Sequence, residues 1–401
     1  MEMSKQQGEA VTKVGGFLRD PGQRVFRLDG YAGTGKTTLA RHLASQHDGE
    51  VLFGAFTGKA ASVLNKKGCP ASTLHSLLYT PKTGSEEEIK KLQKELAAEV
   101  EKAGDGPATG RTQAIRDELK ELNTLKFVFN DESPLHNTDL LVVDEVSMVG
   151  EELGNDLLRF ENLKILVLGD PGQLPPISGE GFFQTKYPCD FLLTEIHRQA
   201  AGNPIITLAT LVRQGHGIKP GRYGDSVVQR RNATTADQLA AVDQVIVGTN
   251  ASRKKFNQLI RDRYGYMSQS CPTVGEKIIC LKNNKEVGIL NGTQWHVETA
   301  EDRGIFLELG ILPWEEEDRG KISPKLLSAH CFDTDLKSLM WYERKQAEEF
   351  DFGYAITCHK SQGSQWETVF IQDESWIFKE FPKQWLYTAI TRAEQKVAIA
   401  I

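Results

Sequence analysis

Two apolar patterns alternate along this chain. Residues 4–19 carry Ala10, Val11, Val14, Phe17 and Leu18 at helical spacing, and Asp20-Pro21-Gly22 stops the run. Continuous, largely aliphatic runs appear at Val25–Leu28, Val51–Phe56, Leu140–Val143, Lys164–Leu168 and Val245–Gly248. Runs of this composition suit strands buried on both faces. Helical segments separate them. The alternation predicts an α/β fold with parallel sheets and helices on both faces.

The alternation breaks twice. Residues 81–138 show no core-strand pattern. Ile89, Leu92, Leu96 and Val100 mark one charged helix, and Ile115, Leu119 and Leu122 a second. The AGDGPATG segment between them reads as a flexible turn, and an irregular stretch carrying Phe127 and Phe129 follows. The charge run Glu86–Glu88 reads as a solvated helix face. The second break starts near residue 271. Short strands are predicted at Glu276–Leu281, Thr293–Thr299 and Gly304–Leu309, with turn signals at Asn291-Gly292 and Asp302-Arg303-Gly304. They suggest a small β-barrel ending near residue 345. A second α/β unit surrounds it. That unit is expected to open on Phe191–Leu193, to include helices Asn203–Arg213 and Ser252–Arg263, and to close on Lys396–Ile401. No internal repeat of solenoid period is visible.

Bulk composition narrows the class. The 401 residues allow about two to three domains. Hydrophobic content of 39% and charged content of 25% are ordinary for a globular protein. No apolar run reaches membrane-span length, and MEMSKQQGEAV has no apolar signal core, so neither membrane association nor export is expected. The six cysteines form no C-x-x-C pair, which fits a reducing, cytoplasmic setting without structural zinc. A net charge of −6 argues against a protein that coats nucleic acid with positive charge. It leaves room for one that holds a single strand in a local groove.

The chemistry begins at Gly30. Gly30, Gly35, Lys36 and Thr37 satisfy G-x-x-x-x-G-K-[ST] between a strand and a helix. Glycines let backbone N–H groups wrap an anion, and the helix N-terminus adds its positive end. Lys36 can reach the β- and γ-phosphates, and the Thr37 hydroxyl can ligate Mg²⁺. Gly33, Thr34 and Thr38 complete the expected nucleotide-binding set. Asp144 and Glu145 follow the strand Leu140–Val143. One carboxylate there can hold Mg²⁺ through water, and its neighbour can polarise the attacking water. Gln173, in the loop after Lys164–Leu168, can sense the γ-phosphate because its amide both donates and accepts. Arg198 and Arg392 can offset charge on the transferring phosphoryl group. By spacing alone each is more often a surface arginine in an ion pair. Polar groups after parallel strand ends lie in the ligand crevice, so these segments should converge.

The set of motifs resembles superfamily 1B helicases of the RecD/Dda-like branch over almost the whole chain. GYAGTGKTT (30–38) is similar to motif I, AFTGKAAS (55–62) to motif Ia and STLHSLL (72–78) to motif Ib. LLVVDEVSMV (140–149) is similar to motif II, LGDPGQLPPI (168–177) to motif III and LTEIHRQ (193–199) to motif IV. GYAITCHKSQGSQW (353–366) and YTAITRA (387–393) are similar to motifs V and VI. The resemblance implies two RecA-like lobes: 1–80 with 139–178, and 179–270 with 346–401. It implies a pin-bearing insertion at 81–138, with Phe127 or Phe129 at the tip, and an SH3-like insertion at 271–345. It implies that Gln7 contacts adenine and that Gly363 lines the nucleotide site. Arg198 and Arg392 would reach the γ-phosphate from the second lobe. Thr57, Lys59, Thr73, His75, His359, Lys360, Ser361 and Gln362 would lie along a groove for single-stranded DNA. Activity would be ATP-dependent, Mg²⁺-assisted 5′–3′ translocation and forked-duplex unwinding by a monomer, with replication or repair proteins as partners. A P-loop small-molecule kinase and a nucleotide-gated binding module remain the alternatives, and RNA remains open as a substrate.

Overall fold

The computed structural model describes residues 3–82, 86–103, 110–123, 126–176, 181–196, 202–266, 271–284, 287–304, 306–314, 325–332, 334, 336, 339, 344 and 346–401. The first lobe is built on six parallel strands in the order Ala71–Thr73, Val51–Ala55, Leu140–Asp144, Lys164–Gly169, Val25–Gly30, Phe191–Leu193. Its central strands are apolar on both sides because both sides are covered. Leu140 and Val142 pack into one core, and Leu141 and Val143 into the opposite one. The helix Lys5–Arg19 covers the first core with Ala10, Val14 and Phe17, and Ser4 caps its N-terminus.

Phe191–Leu193 corrects the expected division at residue 178. It pairs in parallel with Val25–Gly30, with Leu28 opposite Phe191. The helix Phe182–Lys186 also buries Phe182 and Phe183 in the first lobe. A three-residue apolar run carries no signal for which sheet it joins.

The helical insertion is present as Glu86–Ala103 and Gly110–Asn123, with Ile115 and Leu119 buried. Most of the expected turn between them (104–109) lies outside the described residues. The stretch expected to be irregular is a strand. Lys126–Phe129 pairs antiparallel with Tyr79–Lys82, so the insertion stands on a two-stranded ribbon that starts before residue 81. The two aromatics separate here. Phe129 packs on Phe160 at 5.5 Å and under the Arg159 guanidinium, whereas Phe127 is 61% exposed.

The second sheet runs Ala355–Thr357, Gln244–Val247, Trp366–Gln372, Ala393–Ala400, Ser226–Gln229, Gly221–Tyr223. All neighbours are parallel except the last pair. The edge strand Gly221–Tyr223 and its neighbour Ser226–Gln229 were not expected, because GRY and SVVQ are too short to carry an apolar pattern. Its strands too are buried on both faces: Ile246, Val369 and Ile399 enter one core, and Val245, Val247 and Phe370 the other.

The β insertion is a five-stranded antiparallel sheet in the order Lys325–His330, Phe306–Pro313, Gln294–Asp302, Lys277–Cys280, Phe350–Phe352. It therefore extends past the expected limit at 345. A bridge between Ala329 and Glu348 brings its two edges together. A fully buried pair fastens it to the second lobe. Arg261, on the helix Asn250–Tyr264, donates to both Glu276 carboxylate oxygens at 2.7 and 3.0 Å, and its guanidinium lies 3.8 Å from the Phe352 ring. Removing one partner would leave a buried, unpaired charge. Arg261→Ala should therefore cost about 3–5 kcal/mol in urea unfolding of the second lobe. A loss below about 1 kcal/mol would show that the pair is not the fastening.

Candidate functional site

The strand Val25–Gly30 delivers the chain into a turn whose backbone only glycine tolerates well. Gly33 and Gly35 have φ of 81° and 80°, and Gly35 caps the helix Lys36–Ser45. Lys36 Nζ donates to the carbonyls of Gly30 and Tyr31 at 2.5 and 3.2 Å and lies 3.9 Å from the Asp170 carboxylate. Gly33, Gly35, Lys36, Thr37 and Thr38 line a cavity of about 310 Å³.

The acidic pair lies opposite. Thr37 Oγ1 donates to Asp144 Oδ2 at 3.0 Å, so hydroxyl and carboxylate sit side by side. Glu145 is the one non-glycine with positive φ among the described residues, at 53°. A left-handed non-glycine backbone costs about 1–2 kcal/mol. Here it turns the chain sharply after the strand, and the Glu145 N–H donates to Asp144 Oδ1 at 2.8 Å. Burial and then the Glu145 carboxylate push Asp144 above the usual carboxylate range. The Glu145 N–H, the Lys36 ammonium and the Thr37 hydroxyl oppose that shift.

The second lobe closes the cavity. Arg392 is 4% exposed. It is oriented by the carbonyls of Thr388 and Ser364 and the Thr391 hydroxyl, and its Nη1 lies 3.7 Å from Glu145 Oε1. Gly363 and Gln173 line the same space. The Gln173 Oε1 is buried without a hydrogen-bond partner among the described residues. An unsatisfied buried polar atom is costly, and at a cavity wall it marks a place for a ligand. Chemically, the cavity combines an anion cradle, a mobile cation, an oxygen pair suited to a hard metal ion, a carboxylate and a second-lobe arginine. That set suits phosphoryl transfer.

Several expected site residues lie elsewhere. Gln7 is 2% exposed and does not line the cavity. Its amide donates to the Thr34 carbonyl at 3.2 Å and accepts from the Ser4 N–H at 3.1 Å, so it braces the loop from behind. Thr34 is likewise turned inward, its hydroxyl donating to the Tyr31 carbonyl at 2.8 Å. Ser361 and Gln362 are buried rather than open to a groove. The Ser361 hydroxyl donates to the Cys358 carbonyl, and the Gln362 amide donates across the lobes to the Leu174 carbonyl at 2.9 Å. Arg198 lies outside the described residues.

The other expected groove residues sit at the ends of both sheets. Thr57 and Thr73 cap the helices Gly58–Lys66 and Leu74–Leu78, each accepting the N–H three residues on. Thr357, missed in the sequence, does the same in the second lobe ahead of His359 and Lys360. His75 packs against the rings of Phe56 and Tyr79. Burial lowers the pKa of His359 and of Lys360. Lys360 Nζ donates to Asn291 Oδ1 at 2.8 Å, and Leu290, beside it, approaches Gly58. The turn of the β insertion therefore lies next to Gly58 and Lys360, the two sides of this crevice. Tyr387 and Asp170 were also missed. Both belong to quoted motifs, but a buried tyrosine and a second loop aspartate carry no spacing signal.

A family model described as an AAA domain matches residues 2–226, and one described as a UvrD-like helicase C-terminal domain matches residues 352–400. The ATP-dependent RecD2 DNA helicase of Deinococcus radiodurans is 27% identical over 94% of this chain and 46% of its own length. The ATP-dependent DNA helicase Pif1 of a Psychrobacter species is 27% identical over 45% of this chain and 35% of its own. The chain thus spans less than half the length of these curated relatives. Among solved structures, Pif1 helicase from Bacteroides in complex with ADP-AlF3 and ssDNA aligns with a TM-score of 0.55 at 18% identity, covering 99% of this chain and 92% of that one. Pif1 helicase from Candida albicans aligns at 0.53 and 16% identity, covering 100% and 94%. These alignments carry the fold, two RecA-like lobes with insertions. The AAA-domain match spans more than half of the chain and coincides with the loop, acidic pair and glutamine described above, and the chain therefore belongs to that family, in its RecD/Pif1-like superfamily 1B branch.

Proposed function

We propose that this chain is an ATP-driven motor that steps 5′ to 3′ along single-stranded DNA and separates forked duplexes. The observation that carries the reading is the position of Arg392. It comes from the second lobe, yet it faces Glu145 across the same cavity as Lys36. A small-molecule kinase would need an acceptor pocket and no second-lobe arginine.

Within this reading, Lys36 exchanges its backbone carbonyls for the β- and γ-phosphates. Glu145 orients and accepts a proton from the attacking water, and Arg392 and Gln173 contact the γ-phosphate. Thr37 and Asp144 would hold Mg²⁺ through their adjacent oxygens. When bound, that ion neutralises charge on the phosphate oxygens. Thr57, Lys59, Thr73 and His75 on one lobe, and Thr357, His359 and Lys360 on the other, would contact the DNA backbone without reading sequence. Each opening and closing of the lobes would then shift two grips along one strand. The names of the RecD2 and Pif1 relatives support DNA as the polymer. Phe127, exposed on the antiparallel ribbon, is the aromatic we assign to strand separation.

A forked-duplex assay with 5′ or 3′ tails, in DNA and RNA versions, tests the proposal. Unwinding is expected with the 5′-tailed DNA fork and should be lost in Lys36→Ala. Glu145→Gln should still bind ATP and DNA but turn over at least about 100-fold more slowly. ATP hydrolysis that no length of single-stranded DNA stimulates would refute the motor.

Gln7 gives a separate expectation. Because its amide braces Thr34 from behind, Gln7→Ala should weaken binding of ATP and GTP by a similar factor, about three- to tenfold. A selective loss of ATP binding in a nucleotide titration would return Gln7 to the adenine contact.

A further inference from the structure

Several hydrogen bonds cross between the lobes beside the loop, and one hydroxyl joins two of them. Tyr387 lies on the second-lobe helix Pro382–Ile390 and is 2% exposed. Its hydroxyl accepts from the Ala32 N–H in the first lobe's loop at 2.9 Å and donates to Asp170 Oδ2 at 2.8 Å. The fit of the ring depends on a neighbour without a side chain. A Cβ on Gly172 would fall 3.0 Å from Tyr387 Cε1 and 3.1 Å from Cζ. Burial pushes the phenol's pKa up, which keeps the hydroxyl protonated and able to donate.

Asp170 is the other half of the arrangement. It is 4% exposed and also accepts from the Gly172 N–H at 2.9 Å. Its Oδ2, the atom that receives the Tyr387 hydroxyl, is also the atom 3.9 Å from Lys36 Nζ. One carboxylate oxygen is therefore shared between a hydroxyl of the second lobe and the lysine of the loop. Asp170 lines the cavity, whereas Tyr387 does not. Tyr387 lines a smaller space beside Tyr31 and Ala32, and its hydrogen bonds toward the phosphate end of the site run to Ala32 and Asp170.

We propose that Tyr387 is a positioning residue for the phosphate-binding loop, acting on it directly through Ala32 and on Lys36 through Asp170. The reasoning follows the charge. A buried carboxylate deprived of the phenol hydrogen bond would hold the Lys36 ammonium more strongly. Lys36 would then be slower to leave it for phosphate. With the hydroxyl in place, Asp170 is already satisfied and adds little to the two carbonyl contacts that hold the lysine. Because the hydroxyl comes from the second lobe, the loop is set for chemistry only while the lobes meet there. The contact thus reports lobe position to the phosphate end of the site. This inference rests on reading the cavity as an ATP-hydrolysing site.

The test is steady-state ATP hydrolysis by the full chain, with and without single-stranded DNA, for wild type, Tyr387→Phe, Asp170→Asn and the double variant. Tyr387→Phe keeps the ring and removes only the hydroxyl. We expect kcat to fall about tenfold with KM for ATP changed less than about twofold. In the double variant, loss of the Tyr387 hydroxyl should cost less than in wild type, because the route through Asp170 is already gone and only that through Ala32 remains. Melting curves show whether each variant is folded. Should Tyr387→Phe melt early, Gly172→Ala, whose methyl would displace the Tyr387 ring, provides the same kcat-against-KM split from the first lobe. Wild-type kcat in Tyr387→Phe, a loss confined to KM, or losses that multiply in the double variant would overturn the proposal. Lys36→Ala, run alongside, separates the two readings: if it retains hydrolysis, the ATP site itself is misassigned. If only DNA stimulation is missing from wild type, the motor reading fails while the basal rates still test Tyr387.

Discussion

The loop from Gly30 to Lys36 must keep its N–H groups directed at a ligand and still hold one shape. Its rigidity therefore has to come through its carbonyls and from outside the turn. Gln7 donates to the Thr34 carbonyl, the Thr34 hydroxyl to the Tyr31 carbonyl, and Lys36 to the carbonyls of Gly30 and Tyr31. Three loop N–H groups are engaged as well: Tyr31 donates to the Leu193 carbonyl, Thr34 to the Tyr31 carbonyl, and Ala32 to a hydroxyl from the other lobe. The first helix, the first sheet and the second lobe all converge on this requirement. A buried polar network of this kind is favourable only when its members are satisfied together.

The same logic explains why both sheets are buried on two faces. Alternate residues of Leu140–Asp144 and of Gln244–Val247 enter opposite cores, so their strand ends are fixed from both sides. Asp144, Glu145 and Asp170 follow such ends in the first lobe, and the cap Thr357 does so in the second. Close-packed interiors transmit displacement rather than absorbing it. A small shift of one sheet against the other would therefore move Arg392 and Tyr387 relative to the loop as one body.

Much of this was legible in the chain. The loop and the acidic pair are set by local spacing, because backbone geometry within a strand–turn–helix unit is local, whereas Arg392 was reached only through the resemblance of its motif. What depended on three-dimensional context was not legible. Gln7 lies at the expected position, yet its amide is engaged by the Ser4 N–H and the Thr34 carbonyl, and it does not line the cavity. Ser361 and Gln362 sit in a motif read as groove-lining, and packing between the lobes buries both. Phe191–Leu193 joined the first sheet through a pairing that no three-residue run can announce. The shared carboxylate of Asp170 requires residues 217 positions apart to meet.

The proposed division of labour, in which Arg392 brings charge to the γ-phosphate from the second lobe, is tested most directly by comparing nucleotide affinity and turnover in Arg392→Ala, with single-stranded DNA present. Near-wild-type ATP binding is expected, because the loop and Lys36 are intact, together with a fall in kcat of about 10³-fold or more. Turnover within about threefold of wild type would contradict it, since the cavity would then be complete without the second lobe.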